Sequence, residues 1–286
     1  MSDNKNNSRR NFIKQSSLGL GAGIVGTSAS LAAPANEIGN NKKNKLDICI
    51  ASIDLKGLKN DATIDARVNG VLERMDGISG IKPDIICLPE LFSTMWVQEK
   101  KSINEIAEDE KNPGPVTGKI AAFAKKNNCY VVCPTVTKRD GHFYNSSLLI
   151  DRNGNIAGVY HKTYPVKSEI FPGQDFKGGG ITPGALDQPI IQTDFGKVGM
   201  QICYDANWAE GWDRLKELGA DLVLFSSAFP GGRMLNYYAL KNGYYIASAT
   251  GEDARVIDIS GNDLDITSDF VRYAWAEVNL QKFNVT

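Results

Sequence analysis

The sequence predicts an α/β fold built on mixed sheets. Short apolar runs alternate with stretches of helical spacing, and an Asn-Gly turn joins two of the runs as an antiparallel hairpin. Leu46–Ile53 reads as a buried strand, followed by a helix that places Ile64, Val68, Val71, Leu72, Met75 and Ile78 on one face. Asp84–Pro89 is a second strand and Val116–Asn127 a second helix. Cys129–Thr137, Phe143–Asp151 and Asn155–His161 follow as consecutive strands, the last two linked through Arg152-Asn153-Gly154. Lys197–Cys203 is a strand entering the helix Trp208–Leu218, which stops at a candidate C′ glycine, Gly219. Asp221–Ser226, a helix through Leu240 and paired strands from Tyr244 to Ile259 complete the pattern. No solenoid-like repeat interrupts it.

Composition narrows the chemistry. A chain of 286 residues, 42% hydrophobic and 23% charged, has the make-up of a soluble globular protein. Its formal charge of −1 supplies no basic field for a nucleic acid, so no nucleic-acid partner is expected. Only two histidines occur, His142 and His161, which excludes an HExxH zinc site. A Ser-His-Asp triad would have to use one of them.

The N-terminus reads as an address. Arg9-Arg10 within Ser8–Lys14, a Gly/Ser/Ala/Leu stretch to Leu31, and Ala33-Pro34-Ala35 form the three parts of a twin-arginine (Tat) signal. Residues 1–35 are therefore expected to be a signal peptide, 36–45 a polar linker, and 46–286 one domain. Cleavage would remove Lys5, Arg9, Arg10, Lys14 and only one acid, Asp3, leaving a mildly acidic mature chain. The Tat export machinery is then a partner, and the location is the periplasm or the exterior. No second long apolar run and no cysteine beside the cleavage site indicate a permanent membrane anchor.

Five cysteines are present, all beyond residue 35. Cys49, Cys87, Cys129 and Cys133 lie in apolar strand-like runs and read as buried, inert thiols. A zinc pair at Cys129 and Cys133 fails on distance, since four strand residues span about 13 Å. Cys203 differs, because it sits where a strand gives way to a helix.

Three segments share that geometry: Ile85-Ile86-Cys87-Leu88-Pro89-Glu90, Gly158-Val159-Tyr160-His161-Lys162, and Gly199-Met200-Gln201-Ile202-Cys203. Each ends a strand on a reactive side chain, and ligand sites of α/β sheets gather at such ends. A carboxylate accepts the thiol proton, the sulfur attacks a carbonyl-like carbon, and an ammonium steadies the oxyanion. The helix after Cys203 is expected to lower its pKa, giving alkylation fastest well below pH 8.5 and slowed by Glu90→Gln.

These segments resemble the carbon–nitrogen hydrolase (nitrilase) superfamily, whose Glu, Lys and Cys occur in this order. Matching stretches are Pro89-Glu90-Leu91-Phe92, Tyr160–Pro165 and Gly199–Asp205, supported by Tyr144-Asn145-Ser146, Asp151–Gly154 and Gly219–Leu224. The resemblance covers about Leu46 to Leu280. It implies an αββα four-layer sandwich with mixed sheets, assembled as a homo-oligomer, with no metal or organic cofactor. By match, Glu90 is the general base, Lys162 the oxyanion stabiliser, Cys203 the nucleophile and Glu169 the candidate second glutamate. The Tyr204 N–H would be a further oxyanion donor. Tyr164, Trp208 and Phe229 are candidate pocket aromatics, and His161 is read as structural.

Where nitrilases usually carry Trp-Glu after the nucleophile, this chain has Tyr204-Asp205, which favours the amidase-like branch. The expected substrate is a small carboxamide, hydrolysed to acid and ammonia. Alternatives are an N-carbamoyl amine or amino acid, a nitrile, acyl transfer to an amine, or a catalytically silent exported binding protein.

Overall fold

In the computed structural model the described residues are 47–58, 61–167, 169, 180–187 and 189–280. The segments read as signal and linker lie outside them. Strand β1 (Asp47–Ile53) leads through helix α1 (Ile64–Ile78) to β2 (Ile85–Cys87). A short helix α2 (Ile103–Ile106), β3 (Glu108–Asp109) and helix α3 (Pro115–Asn127) precede three long strands, β4 (Tyr130–Arg139), β5 (His142–Ile150) and β6 (Ile156–His161). The second half runs β7 (Ile191–Gln192), β8 (Lys197–Ile202), α4 (Ala209–Glu217), β9 (Leu222–Ser226), α5 (Gly232–Asn242), β10 (Tyr245–Ala249), β11 (Ala254–Ile257), β12 (Asp263–Ile266) and β13 (Tyr273–Asn279).

Two sheets result. One has the order β13-β1-β2-β4-β5-β6, with β3 paired to β4; the other is β12-β11-β10-β9-β8-β7. Both are mixed: β1, β2 and β4 pair in parallel, whereas β4, β5 and β6 pair antiparallel. The apolar runs are continuous because each strand is covered on both faces. Along β1, Ile48 and Ile50 enter a core shared with Val198, Met200, Leu222 and Leu224 of the other sheet. Ala51 and Ile53 point the opposite way, onto Val68, Val71 and Met75 of α1 and Ile120 and Phe123 of α3. On the far side, Val223, Phe225 and Ile246 pack under Trp212, Leu215, Leu235 and Tyr238 of α4 and α5. Strand alternation thus generates helix, sheet, sheet and helix layers, the expected αββα sandwich.

Local signals account for the ends. Thr63 caps α1, its side chain accepting the Ala66 N–H at 3.1 Å. Gly219, at φ +83°, ends α4 as the C′ residue, where a side chain would be strained. Cys49, Cys87, Cys129 and Cys133 are buried, as read from their runs. Burial pushes the Cys87 thiol up to about 12 and that of Cys129 to about 11. No helix among the described residues is long and apolar enough to cross a membrane.

The strand from Lys197 ends one residue earlier than expected. Cys203 opens a 3-10 turn, Cys203–Asn207, and α4 begins only at Ala209. Strands β12 and β13 had no counterpart in the sequence reading, nor did the two-residue β3 and β7. The antiparallel pairing of β13 with β1 runs from Asp47↔Asn279 to Ile53↔Tyr273 and closes one edge of its sheet.

Candidate active site

Glu90, Lys162 and Cys203 stand just beyond β2, β6 and β8 respectively, so two come from one sheet and the third from its partner. They meet with Glu169 and Phe229 in a cavity of about 690 Å³. Lys162 is 1% exposed and Glu90 2%. An isolated charge at that depth would be prohibitive. Here the ammonium is bracketed by two carboxylates, donating to Glu90 Oε1 at 2.7 Å and to Glu169 Oε1. Burial alone would lower the Lys162 pKa, but Glu90 and Glu169 outweigh it and hold the group well above its ordinary value.

Asn145 completes the cluster. Its Nδ2 donates to Glu90 Oε1 at 2.8 Å and to Glu169 Oε2 at 3.0 Å, which fixes its amide orientation because only the NH₂ end can face two carboxylates. The placement follows from register: Ser146 lies opposite His161 on the β5–β6 ladder, and Lys162 N donates to Asn145 O at 2.8 Å. Glu90 Oε2 accepts the Ala228 N–H at 2.9 Å, tying the carboxylate to the opposite sheet. Asn145→Ala is expected to lower kcat about tenfold or more with a smaller change in KM, since Glu90 would lose an orienting donor. Steady-state kinetics on one turned-over amide checks this; an unchanged kcat would assign Asn145 to packing alone.

Gly184 supports the lysine from outside. Its N–H donates to Lys162 O at 2.8 Å, and a Cβ there would overlap the His161 carbonyl. Because that obstacle is backbone, relief needs movement of the strand end. Gly184→Ala is expected to cost about 1–3 kcal/mol, read as a lowered Tm, and to reduce activity with it. An unaltered Tm would show the segment to be looser than this packing implies.

Cys203 has φ +47°, a left-handed backbone that is costly for a residue with a side chain. Leu91 at +45° and Trp96 at +58° share it, so three strained residues line the same cavity. The conformation at Cys203 turns the chain sharply off β8 and leaves the thiol partly exposed between Glu90 and Ser227. Burial and the Glu90 carboxylate push that thiol up to about 11, against the pull of Lys162 and the Ser227 hydroxyl. This corrects the expectation of a lowered pKa. The helical turn after Cys203 is a five-residue 3-10 segment, too slight to offset desolvation and a neighbouring anion. The expected alkylation profile reverses with it: in the resting protein the rate climbs through pH 9 to 11. Glu90→Gln removes the repelling charge, shifting the rise to lower pH while turnover collapses. Mass-spectrometric quantification of the Cys203 adduct against pH tests this, and a profile unmoved by Glu90→Gln would overturn it.

The predicted aromatics divide. Phe229 lines the cavity and meets Trp96 edge-on, with ring centroids 6.1 Å apart. Tyr164, Tyr204 and Trp208 are not among the lining residues. Tyr164 stacks on Trp208 at 4.0 Å and donates its hydroxyl to Glu210, while Tyr204 abuts Trp208 at 4.8 Å. The Tyr204 ring is exposed and those of Tyr164 and Trp208 are half-buried, so the expectation that Tyr164 and Trp208 line the pocket is corrected, whereas what was expected of Tyr204 is its backbone N–H. Beneath them Asp205 is buried, accepting from Tyr160 Oη at 2.8 Å, Tyr164 N at 2.8 Å and Ile202 N at 3.2 Å. Burial lifts its pKa to about 6 despite those donors. His161 is buried against the Tyr144 ring and bonded to Glu110 at 2.8 Å, consistent with a packing role.

Sequence reasoning also missed Arg67. Fully buried on α1, it ion-pairs with Asp61 at 2.7 Å. It also donates to Phe92 O at 3.0 Å and Met95 O at 2.8 Å, holding the segment that forms one cavity wall.

With this arrangement in place, similarity to known proteins is informative. The family model described as carbon-nitrogen hydrolase matches residues 50–257, and the chain belongs to that family. The nitrilase and fragile histidine triad fusion protein NitFhit of Drosophila melanogaster is 28% identical over 180 residues, 63% of this chain and 38% of the fusion protein. The beta-ureidopropionase of Arabidopsis thaliana is 24% identical over 242 residues, 77% of this chain and 56% of that enzyme. The chain thus spans about half the length of these curated relatives. Among solved structures, a mutant amidase from Nesterenkonia sp. AN1 superposes with a TM-score of 0.66 at 16% identity, covering 82% of this chain and 90% of that one. That structure shows covalent addition of the acetamide moiety of fluoroacetamide at the amidase's active-site cysteine.

Proposed function

We propose that the protein hydrolyses a small carboxamide to acid and ammonia through a thioester on Cys203. The observation that carries the reading is a buried Lys162 held between Glu90 and Glu169 on the wall of the cavity that Cys203 enters. Glu90 takes the thiol proton as the sulfur attacks the amide carbon. Lys162, aided by the N–H of Tyr204 at the start of the 3-10 turn, steadies the tetrahedral oxyanion. Glu90 returns the proton to the departing nitrogen, the C–N bond breaks and ammonia leaves. Glu90 then deprotonates a water that attacks the thioester, releasing the acid and restoring the thiol. Glu169 and Asn145 orient the lysine and Glu90 throughout. The twin-arginine pattern at Arg9-Arg10 supports a site of action in the periplasm or outside the cell.

A resting thiol with a raised pKa fits this sequence of steps, because it makes Glu90 the group that generates the nucleophile once substrate has displaced water. A carbamoyl substrate is the second reading, favoured by the match to a beta-ureidopropionase over 77% of the chain. Ammonia release from aliphatic amides and N-carbamoyl amino acids separates the two, and Glu90→Gln and Lys162→Met serve as controls. Turnover persisting at near wild-type rate in either control would overturn the role assignment.

A further inference from the structure

We infer that Asp205 is a positioning residue, which ties the end of β6 to the turn after β8 and so sets the spacing of Lys162 and Cys203. This deepens the function proposed above and rests on it. The two strands belong to different sheets, so no ladder of strand pairing joins them. The Asp205 carboxylate spans the gap. Its Oδ1 accepts the Tyr164 N–H at 2.8 Å, and its Oδ2 accepts the Tyr160 hydroxyl at 2.8 Å and the Ile202 N–H at 3.2 Å. Tyr160 and Tyr164 lie two residues to either side of Lys162, and Ile202 immediately precedes Cys203. One side chain therefore grips the chain around both reactive groups.

The residue type fits the task. Asp205 is 1% exposed, and the Lys162 ammonium bonds to Glu90 and Glu169 rather than to it. Burying a carboxylate with no cation in contact is costly. An apolar residue would avoid that cost but leave buried N–H groups unpaired. Asparagine would meet the same three donors with one acceptor oxygen, and its NH₂ would face an N–H. A carboxylate accepts at both oxygens and donates at neither, which matches three converging donors. Trp212 Nε1, donating to Asp205 O at 3.2 Å, anchors the backbone of the same residue to α4.

The tie depends on pH. Facing the carboxylate are the Tyr160 phenol and, further off, the Lys162 ammonium from the β6 side. Gln201 of β8 shares the Tyr160 hydroxyl, and Tyr164 bonds through its own hydroxyl to Glu210 of α4. Burial outweighs the three donors and the Lys162 charge, which is why the Asp205 pKa stands at about 6. The anion is the form that holds, so the tie is complete above that pH and weakens as pH falls through it. Protonation replaces charge-assisted bonds with neutral ones. Among the three donors only Tyr160 Oη can accept the added proton, and that requires its bond to reverse.

The deciding measurement is kcat against pH for one turned-over amide, in the wild type, Asp205→Asn and Tyr160→Phe. The wild type is expected to lose activity as pH falls through about 6. Tyr160→Phe removes a donor to the anion and should move that limb up by about half a pH unit or more. Asp205→Asn should lower kcat about tenfold at neutral pH, with a smaller change in KM, and abolish the limb. Tyr160→Phe leaves the carboxylate in place, so it decides the matter even if Asp205→Asn fails to fold. A limb unmoved by Tyr160→Phe, or persisting in Asp205→Asn, overturns the proposal and leaves the amidase reading intact. Absence of ammonia from every amide and carbamoyl substrate in the wild type overturns the amidase reading instead. The tie is then read by hydrogen exchange of residues 158–165 and 199–207, corrected for the intrinsic effect of pH. Exchange in both segments should rise together as pH falls through about 6, and at higher pH in Tyr160→Phe; segments that respond separately or not at all would overturn the tie.

Discussion

On the proposed mechanism, Cys203→Ala is expected to abolish ammonia release, lowering kcat by about 10⁴-fold or more, and to leave the fold in place. The size follows from the chemistry: without sulfur no thioester forms, and the residual rate reflects only water attacking a bound, polarised amide. The fold survives because an alanine Cβ occupies the same position at φ +47°, and the thiol's neighbours Glu90 and Ser227 keep their other partners. Cys203→Ser is nearly as severe, since a hydroxyl is a far poorer nucleophile for the carboxylate at Glu90 to generate. Circular dichroism and Tm near wild type, together with loss of turnover, give the expected pair of results. Turnover within tenfold of wild type in Cys203→Ala would remove covalent catalysis from this site.

Lys162→Met carries the second large effect, and it acts on stability as well as rate. Glu90 and Glu169 both bond the ammonium and share the Asn145 amide, so removing the cation leaves two buried carboxylates facing each other. Breaking a buried pair from one side costs about 3–5 kcal/mol. Activity falls by about 10³-fold as the oxyanion loses its charged partner. The double variant Lys162→Met/Glu169→Gln separates the two effects: much of the Tm returns because one carboxylate is gone, whereas activity does not. Chemical denaturation and ammonia assay on both variants make the comparison. A Tm unaffected by Lys162→Met would mean that the cluster is less buried than its geometry states.

The chain announces its fold wherever a strand or helix is specified by its own residues. β1, β2, β4 and β9 are apolar runs, α1 carries its cap and stripe, and the β5–β6 turn carries Asn-Gly. Elements defined by a distant partner are not announced. β12 reads Asp-Leu-Asp-Ile, with little apolar content, and exists because β11 presents an open edge to it. β13 follows no turn signal and is defined by pairing with β1, more than 200 positions earlier in the chain. The site divides along the same line. Glu90, Lys162 and Cys203 are visible as polar residues ending apolar runs. Asn145 becomes meaningful only through the register that sets it beside Lys162, and Arg67 only through the loop it grips. Trp208 misleads because sequence proximity to Cys203 says nothing of which side of a sharp turn a ring takes, and Tyr164 because its ring stacks on Trp208 at 4.0 Å.

The grip of Arg67 has a consequence of its own. The acid–base groups are fixed by strand ends and by each other, while the wall from Leu91 to Trp96 is suspended from a residue of α1, the helix covering the outer face of the sheet that carries Glu90 and Lys162. Selection can therefore act on the two separately. Changes along α1 or in the segment running to Lys101 act first on the cavity wall, whereas Glu90, Lys162 and Glu169 are held by one another. Over generations such a molecule can change its diet and keep its teeth.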